Sequence, residues 1–114
     1  DLRFFLRITA AFAAGFVIGF QREVNARGKG VHGIAGTRTM SLVSLGAALF
    51  LLLGAGSREE GSSTDPFRVA AQVVSGVGFI GGGVIMKAEK GMMYTGVTTA
   101  ATIWLCAAIG MAFG

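Results

Sequence analysis

The sequence predicts an all-α membrane protein, a bundle of four transmembrane helices held together by glycine-rich close packing. Of its 114 residues, 53% are hydrophobic and 14% are charged, whereas soluble domains carry about 25% charged residues. The mean hydropathy is +0.66. The charges cluster between long neutral runs, which place the four helices over residues 2–20, 39–57, 66–86 and 92–113.

The first helix begins with Arg3 and Arg7, which lie one turn apart and can extend their charged ends to the headgroups. Gly15 and Gly19 have the spacing that lets a neighbouring backbone approach closely. A cleaved signal peptide is the competing interpretation, since residues 11–13 have a small-x-small form. The apolar run continues well beyond that point, which favours a membrane helix.

Residues 21–38 are basic and contain several glycines, so we expect a flexible loop between the first and second helices. His32 stands alone in this region. Because no second ligand lies at metal-binding spacing, we interpret His32 as a surface or interfacial residue rather than a metal ligand. The second helix follows and ends in glycines ahead of a polar loop, residues 58–64.

The third helix is the most informative stretch, residues 65–86. Asp65 can cap its start and Pro66 fits its first turn. At 100° per residue, its polar and small residues share one arc of roughly 120° together with one aromatic: Arg68, Gln72, Ser75, Gly78, Phe79 and Gly82. Lipid would reject this face, so we expect it to meet protein. It either packs inside the bundle or forms a site with its own chemistry.

The fourth helix carries a stripe of hydroxyl groups at helical spacing, from Thr95, Thr98, Thr99 and Thr102. We interpret the stripe as hydrogen bonds to the backbone or to a neighbouring helix, with a lined ion path as the alternative. Cys106 continues the stripe and is interpreted as a small packing residue rather than a redox group. Trp104 lies near the middle of the run, so we expect it to pack between helices rather than at the membrane interface.

Loop charge sets the orientation. The loops after the first and third helices are the basic ones and fall on the same side, which is therefore predicted to be cytoplasmic. The loop between the second and third helices contains acids and should face out, as should the N-terminus. The net charge of +4 fits this headgroup role. We do not expect nucleic-acid binding, because no basic block is paired with a stacking platform.

None of the neutral runs has a charge near its centre, which argues against proton-coupled transport. No nucleophile set, metal cluster or carboxylate pair appears, so we expect no catalytic, cofactor or metal residues and no enzyme. The charges lie at helix ends instead. Two groups of residues contain both positive and negative charges, and each is expected to form an ion-pair network that either holds helix ends together or binds a partner. The groups are Arg7, Asp65 and Arg68 at one end, and Arg22, Glu23 and Arg38 at the other.

Four stretches together resemble the MgtC/SapB family of membrane proteins. They are GFVIGFQRE at residues 15–23, TRT followed by SLVSLGAALF in the second helix, residues 65–86, and TGVTTAATIWLCAAIG at residues 95–110. The resemblance covers essentially the whole chain in order and spacing. It implies a bacterial inner-membrane protein of about five helices, the fifth following this chain, with a cytoplasmic domain in some members.

The resemblance also implies a function. Family members are linked to growth in low magnesium and to survival inside host phagocytes, and the F-type ATP synthase is a suggested target. Carried over by position, the residues of interest are Arg22, Glu23, Arg38, Asp65, Arg68, Gln72 and Trp104. The leading hypothesis is a regulatory protein that contacts membrane partners and forms a homo-oligomer, with a dimer favoured. The alternatives are an oligomeric transporter or channel for a cation or small solute, and a purely structural oligomer.

Overall fold

The computed structural model describes residues 2–30, 35–56, 65, 67–87 and 93–114. These contain four α-helices: α1 (Leu2–Gly28), α2 (Thr37–Gly56), α3 (Phe67–Met86) and α4 (Met93–Phe113). All four are long and apolar enough to cross a membrane. The described residues therefore form a multi-pass, all-α membrane domain, as the sequence predicts. His32, Pro66 and the loop of residues 58–64 lie outside the described part.

Helix α1 is longer than the sequence analysis predicts. It continues through Gly28 instead of ending at Phe20, so the expected loop beginning at residue 21 was wrong for its first part. The residues from Gln21 to Arg27 include neither glycine nor proline and hold a helix well despite their charge. The helix ends where Gly30 adopts a φ of 72°, a left-handed conformation that glycine accepts without steric cost.

Carboxylates cap the starts of α2 and α3. The Thr37 amide at the start of α2 donates to Glu23 Oε1 of α1 at 2.9 Å. The Phe67 amide at the start of α3 donates to Asp65 Oδ1, also at 2.9 Å, which confirms the predicted Asp65 cap. Each carboxylate accepts from an amide that has no partner within its own helix.

The helices form a thin plate, with Cα extents of 54 × 28 × 14 Å. Helices α2 and α4 lie in the middle and pack against each other. Helix α1 packs on both of them, α3 packs mainly on α4, and α3 touches α2 only lightly. In the described residues α1 and α3 form the two edges of the plate.

Small residues make the packing possible. Gly15 and Gly19 of α1 lie directly on the α2 backbone, and a Cβ built on Gly19 would come 2.5 Å from the Cα of Thr37. Gly110 of α4 lies in the same way on the backbone at Ser44. The predicted close-packing face of α1 is therefore confirmed. The fully buried side chains include Ala11 and Ala48, and the largest among them are Met40 and Ile103.

Candidate functional site

Arg22 joins α1 to α4 near the end of the plate where α2 begins. Its Nη2 donates to Thr99 Oγ1 at 2.6 Å, and its Nη1 makes a longer contact of 3.5 Å with Thr102 Oγ1. Its Nε donates to the Ala35 carbonyl at 3.2 Å. The planar guanidinium supplies donors in several directions at once. One side chain thus ties α1 both to α4 and to the segment that leads into α2.

The threonine stripe of α4 is used inside the chain. Thr99 is only 5% exposed and accepts from Arg22. The Thr102 hydroxyl donates to the Thr98 carbonyl one turn back, at 2.8 Å. For Thr99 and Thr102 this confirms the interpretation as bonds to the backbone and to a neighbouring helix. Cys106 is a free, fully buried cysteine, in line with a packing role.

Glu23, the next residue on α1, contacts the start of α2. Besides capping α2, its side chain lies against Gly36, where an added Cβ would overlap it. Arg22 and Glu23 are therefore bound by hydroxyl and backbone groups, and in the described residues they form hydrogen bonds where ion pairs were expected. The reason is that adjacent residues on a helix point about 100° apart, so the two side chains reach different neighbours.

Arg38 completes this end of the molecule. It is exposed in the first turn of α2 and lines a cavity together with Glu23 and Thr37. The three sequence-predicted residues Arg22, Glu23 and Arg38 thus lie around one junction of α1, α2 and α4. Asp65 and Arg68 lie at the opposite end of the plate and are exposed.

The polar face of α3 is exposed in this chain. Arg68, Gln72 and Ser75 are all exposed, and Phe79 is 85% exposed. A Cβ added to Gly78 or Gly82 would meet no atom within 4 Å. Of the two alternatives, packing of this face inside the bundle is not seen in the described residues.

The reason lies in which face of α3 meets α4. The buried residues of α3 are Val77 and Gly81, and Gly81 faces Ala100 of α4. Phe79 lies about 200° around the helix from Val77, so the Phe79 side points away from the chain. Contact of this face with another protein stays a prediction.

Trp104 is 57% exposed, so the expectation that it packs between helices was wrong within this chain. Its neighbours Ile103, Cys106 and Ala107 occupy the buried face of α4. Trp104 lies about 100° from Ile103 and therefore points outward.

Two polar residues escaped the sequence analysis. The Thr37 and Ser41 hydroxyls are buried and make no hydrogen bond within the described part of the chain. Their spacing of four residues places both hydroxyls on one face of a helix, but the sequence does not show that this face offers them no acceptor. The described part of the chain contains no group of three or more His, Cys, Asp or Glu side chains that could hold a metal ion.

Comparison with known proteins identifies the family. The model of the MgtC family matches residues 8–114.

The chain belongs to the MgtC family.

Among MgtC-family relatives, "Protein MgtC" of Brucella abortus is 44% identical over 107 residues, which cover 94% of this chain and 40% of the relative. "Protein MgtC" of Salmonella typhimurium is 43% identical over 111 residues, covering 97% and 43%. An uncharacterized protein of Synechocystis is 42% identical over 109 residues, covering 96% and 42%. The chain thus spans about two-fifths of the length of these relatives. No solved structure matches it.

Proposed function

We propose that this protein is a regulatory membrane protein of the MgtC type, which acts by helix–helix contact with a membrane partner and not by catalysis. The observation that carries the proposal is the exposed α3 face, defined here as Arg68, Gln72, Ser75, Gly78, Phe79 and Gly82. It combines polar groups with glycines that have open space above them. Lipid chains cannot satisfy polar groups, whereas a helix laid on the glycines can.

A contrast within the chain supports this assignment. The glycines of α1 have the same spacing as Gly78 and Gly82, and there the backbone of α2 lies directly against them. The α3 glycines have no such neighbour in the described residues. Helix α3 also lies at an edge of the plate, where an incoming helix meets no obstacle from α1. The α3 face is thus shaped for a contact that the described residues do not supply.

On the family resemblance, we place the protein in the bacterial inner membrane with its N-terminus outside, and we link it to growth in low magnesium and to stress or intracellular survival. The F-type ATP synthase is the first partner to test, and a homodimer is the favoured assembly. In the described residues, the Thr99 and Thr102 hydroxyls are bound by Arg22 or by their own helix. The contact hypothesis therefore ranks above a threonine-lined transport path.

The test is cross-linking in native membranes with a tagged protein, comparing Gly78→Leu with Ala13→Leu. Ala13 is also exposed but lies on α1, at the other edge of the plate. We expect Gly78→Leu to abolish cross-links to ATP synthase subunits and to reproduce the effect of deletion on ATP level at low magnesium. Ala13→Leu should behave as wild type. Recovery of this protein alone, with no effect of deletion on ATP or membrane potential, overturns the proposal.

A further inference from the structure

A cavity of about 550 Å³ opens between α1 and α2 at the end where α2 begins. We call it the α1–α2 cavity. Its polar end is formed by Glu23, Thr37 and Arg38 and its apolar end by Phe12 and Phe16. Ser41 also lines it, one turn further along α2 and beside Gly15. The cavity lies on the opposite side of the plate from the edge formed by α3, and it plays no part in the contact proposed above.

Two of the hydroxyl groups that line the cavity have no hydrogen-bond partner in the described residues. Ser41 is 2% exposed, and neither its Oγ nor the Oγ1 of Thr37 has a hydrogen-bond partner in the described residues. Ser44, one turn further along α2, differs, because its hydroxyl donates to the Ala11 carbonyl at 2.6 Å. Buried hydroxyls are almost always satisfied, and leaving one unpaired is unfavourable. Acceptor oxygens on a ligand in the cavity would satisfy both hydroxyls.

The charges at the polar end have opposite signs and do not neutralise each other. Glu23 and Arg38 both line the cavity, yet within the described chain they form no ion pair with each other. Glu23 uses one oxygen to cap α2, which leaves the second oxygen available, since a carboxylate accepts several hydrogen bonds. The first turn of α2 adds the favourable field of a helix N-terminus for an anion. A ligand that fits carries both a cation and an anion.

The apolar end of the cavity indicates that the ligand also has an apolar part. Phe12 and Phe16 stack with centroids 6.4 Å apart and are 42% and 43% exposed. From Phe12 to Glu23 the cavity wall runs about 16 Å along α1, at ~1.5 Å per residue. The polar end coincides with the start of α2, where headgroups lie, and the aromatic end extends toward the hydrocarbon. This layout matches a lipid with its headgroup at Glu23 and an acyl chain along the phenylalanines.

We propose that the α1–α2 cavity is a specific binding site for a phospholipid with a primary-amine headgroup, of the phosphatidylethanolamine type. Arg38 binds the phosphate and Glu23 binds the ammonium group, while the Ser41 and Thr37 hydroxyls donate to phosphate or ester oxygens. A phosphatidylglycerol would place no cation at Glu23. A phosphatidylcholine would bring a cation that has no N–H to donate to the carboxylate.

The test is native mass spectrometry of the delipidated, detergent-purified protein given equimolar phosphatidylethanolamine, phosphatidylglycerol and phosphatidylcholine. We expect one phosphatidylethanolamine retained at least about fivefold over either competitor, as hydrogen bonds to charged groups imply. Soluble phosphoethanolamine, tested alone, should not compete at equal concentration. If it competes, the site takes a free small molecule and the lipid assignment is wrong.

Three variants and one matched control complete the experiment. Arg38→Gln and Glu23→Gln should each remove the preference for phosphatidylethanolamine. Glu23→Gln should in addition favour phosphatidylglycerol, because Arg38 is then the one charged group left at the polar end. Ser41→Ala should weaken retention about two- to fivefold. Ser44→Ala, in which the lost hydroxyl was already bound to Ala11, should leave the preference unchanged. Equal retention of all three lipids by the wild type, or equal effects of Ser41→Ala and Ser44→Ala, overturns the proposal.

Discussion

Arg22 and Glu23 are adjacent in the sequence and bind different helices. Arg22 donates to Thr99 on α4 at 2.6 Å, while Glu23 accepts from the Thr37 amide at the start of α2 at 2.9 Å. Together they fix the last turns of α1 to both central helices. This junction sits where the apolar run of α1 has ended, so polar bonds continue the contact that the glycines begin nearer the membrane centre.

Loss of Arg22 should loosen α1 from α4. We expect Arg22→Ala to lower the free energy of unfolding by about 1–3 kcal/mol, because the buried Thr99 hydroxyl loses a charged partner. Arg22→Lys should recover only part of this, since one ammonium group cannot reach three acceptors. Denaturation in detergent followed by circular dichroism measures both. The control is Arg27→Ala on the exposed side of the same helix, and equal stability of Arg22→Ala and Arg27→Ala would contradict the assigned role.

The carboxylate cap on α2 predicts a graded response at residue 23. Glu23→Ala should lower the stability by about 1 kcal/mol, the usual cost of losing a helix cap. Glu23→Gln keeps an oxygen that can accept from Thr37 and should cost less than half as much. Asn25→Ala, an exposed position on α1, is the control. Thermal unfolding in one detergent distinguishes the variants, and a Glu23→Gln as damaging as Glu23→Ala would mean that charge rather than capping matters.

Glycines in contact and glycines in open space should respond oppositely to alanine. Gly19→Ala places a methyl group against the α2 backbone and should destabilise the protein by about 1–3 kcal/mol. Gly83→Ala meets nothing within 4 Å and should be neutral or stabilise the protein by up to about 1 kcal/mol through helix propensity. Unfolding midpoints of the two variants settle the comparison. A tolerated Gly19→Ala would be incompatible with the close approach of α1 and α2.

A dimer formed through the α3 face should be detectable by a single introduced thiol. In a Cys106→Ser background, Ser75→Cys should give a disulfide-linked species of twice the mass when membranes are oxidised, because Ser75 is exposed on that face. Ala13→Cys, exposed on α1 at the other edge, should give little. A cross-link to a different protein would show a heteromeric contact and contradict the homodimer. Efficient disulfide formation by Ala13→Cys would show that the interface lies on α1.

The fluorescence of Trp104 should show whether its side chain contacts lipid or another protein. Because it is 57% exposed on α4, its fluorescence should be quenched strongly by lipids brominated along the acyl chain. The chain contains one tryptophan, so the signal needs no correction for others within this segment. Fluorescence in liposomes with brominated and ordinary lipid measures the effect. The lack of quenching would show that another protein covers Trp104 in the membrane.

The sequence predicted those features that depend on local spacing. The close-packing face at Gly15 and Gly19, the Asp65 cap and the four apolar helices all follow from residues near one another in the chain. The end of α1 was predicted too early because the charged residues were assigned to a loop, although most residues from Gln21 to Arg27 are good helix formers. Residue chemistry alone does not say where a membrane helix leaves the bilayer.

Contacts between helices were harder to predict, for a physical reason. Whether Trp104 or Ile103 faces the interior depends on how α4 is rotated against its neighbours, and both residues are apolar. The partners of Arg22 likewise depend on α1 and α4 being adjacent, which periodicity cannot give. The Thr37 and Ser41 hydroxyls become notable only when their neighbours are known to offer no acceptor. Helix rotation and adjacency, and not helix identity, were the missing information.

Because the plate is thin, we expect an unusual pattern of tolerated substitutions. With a depth of 14 Å, the molecule has no thick interior to fill, and Met40 and Ile103 are the largest of its completely buried side chains. Its outward leucines, valines and phenylalanines that lie outside the α3 face and the α1–α2 cavity should be freely exchangeable among themselves. Selection should instead act on the positions where a side chain is missing, such as Gly15, Gly19 and Gly110. The expected pattern of evolutionary constraint is therefore the reverse of that in a water-soluble domain, with the smallest residues the least replaceable.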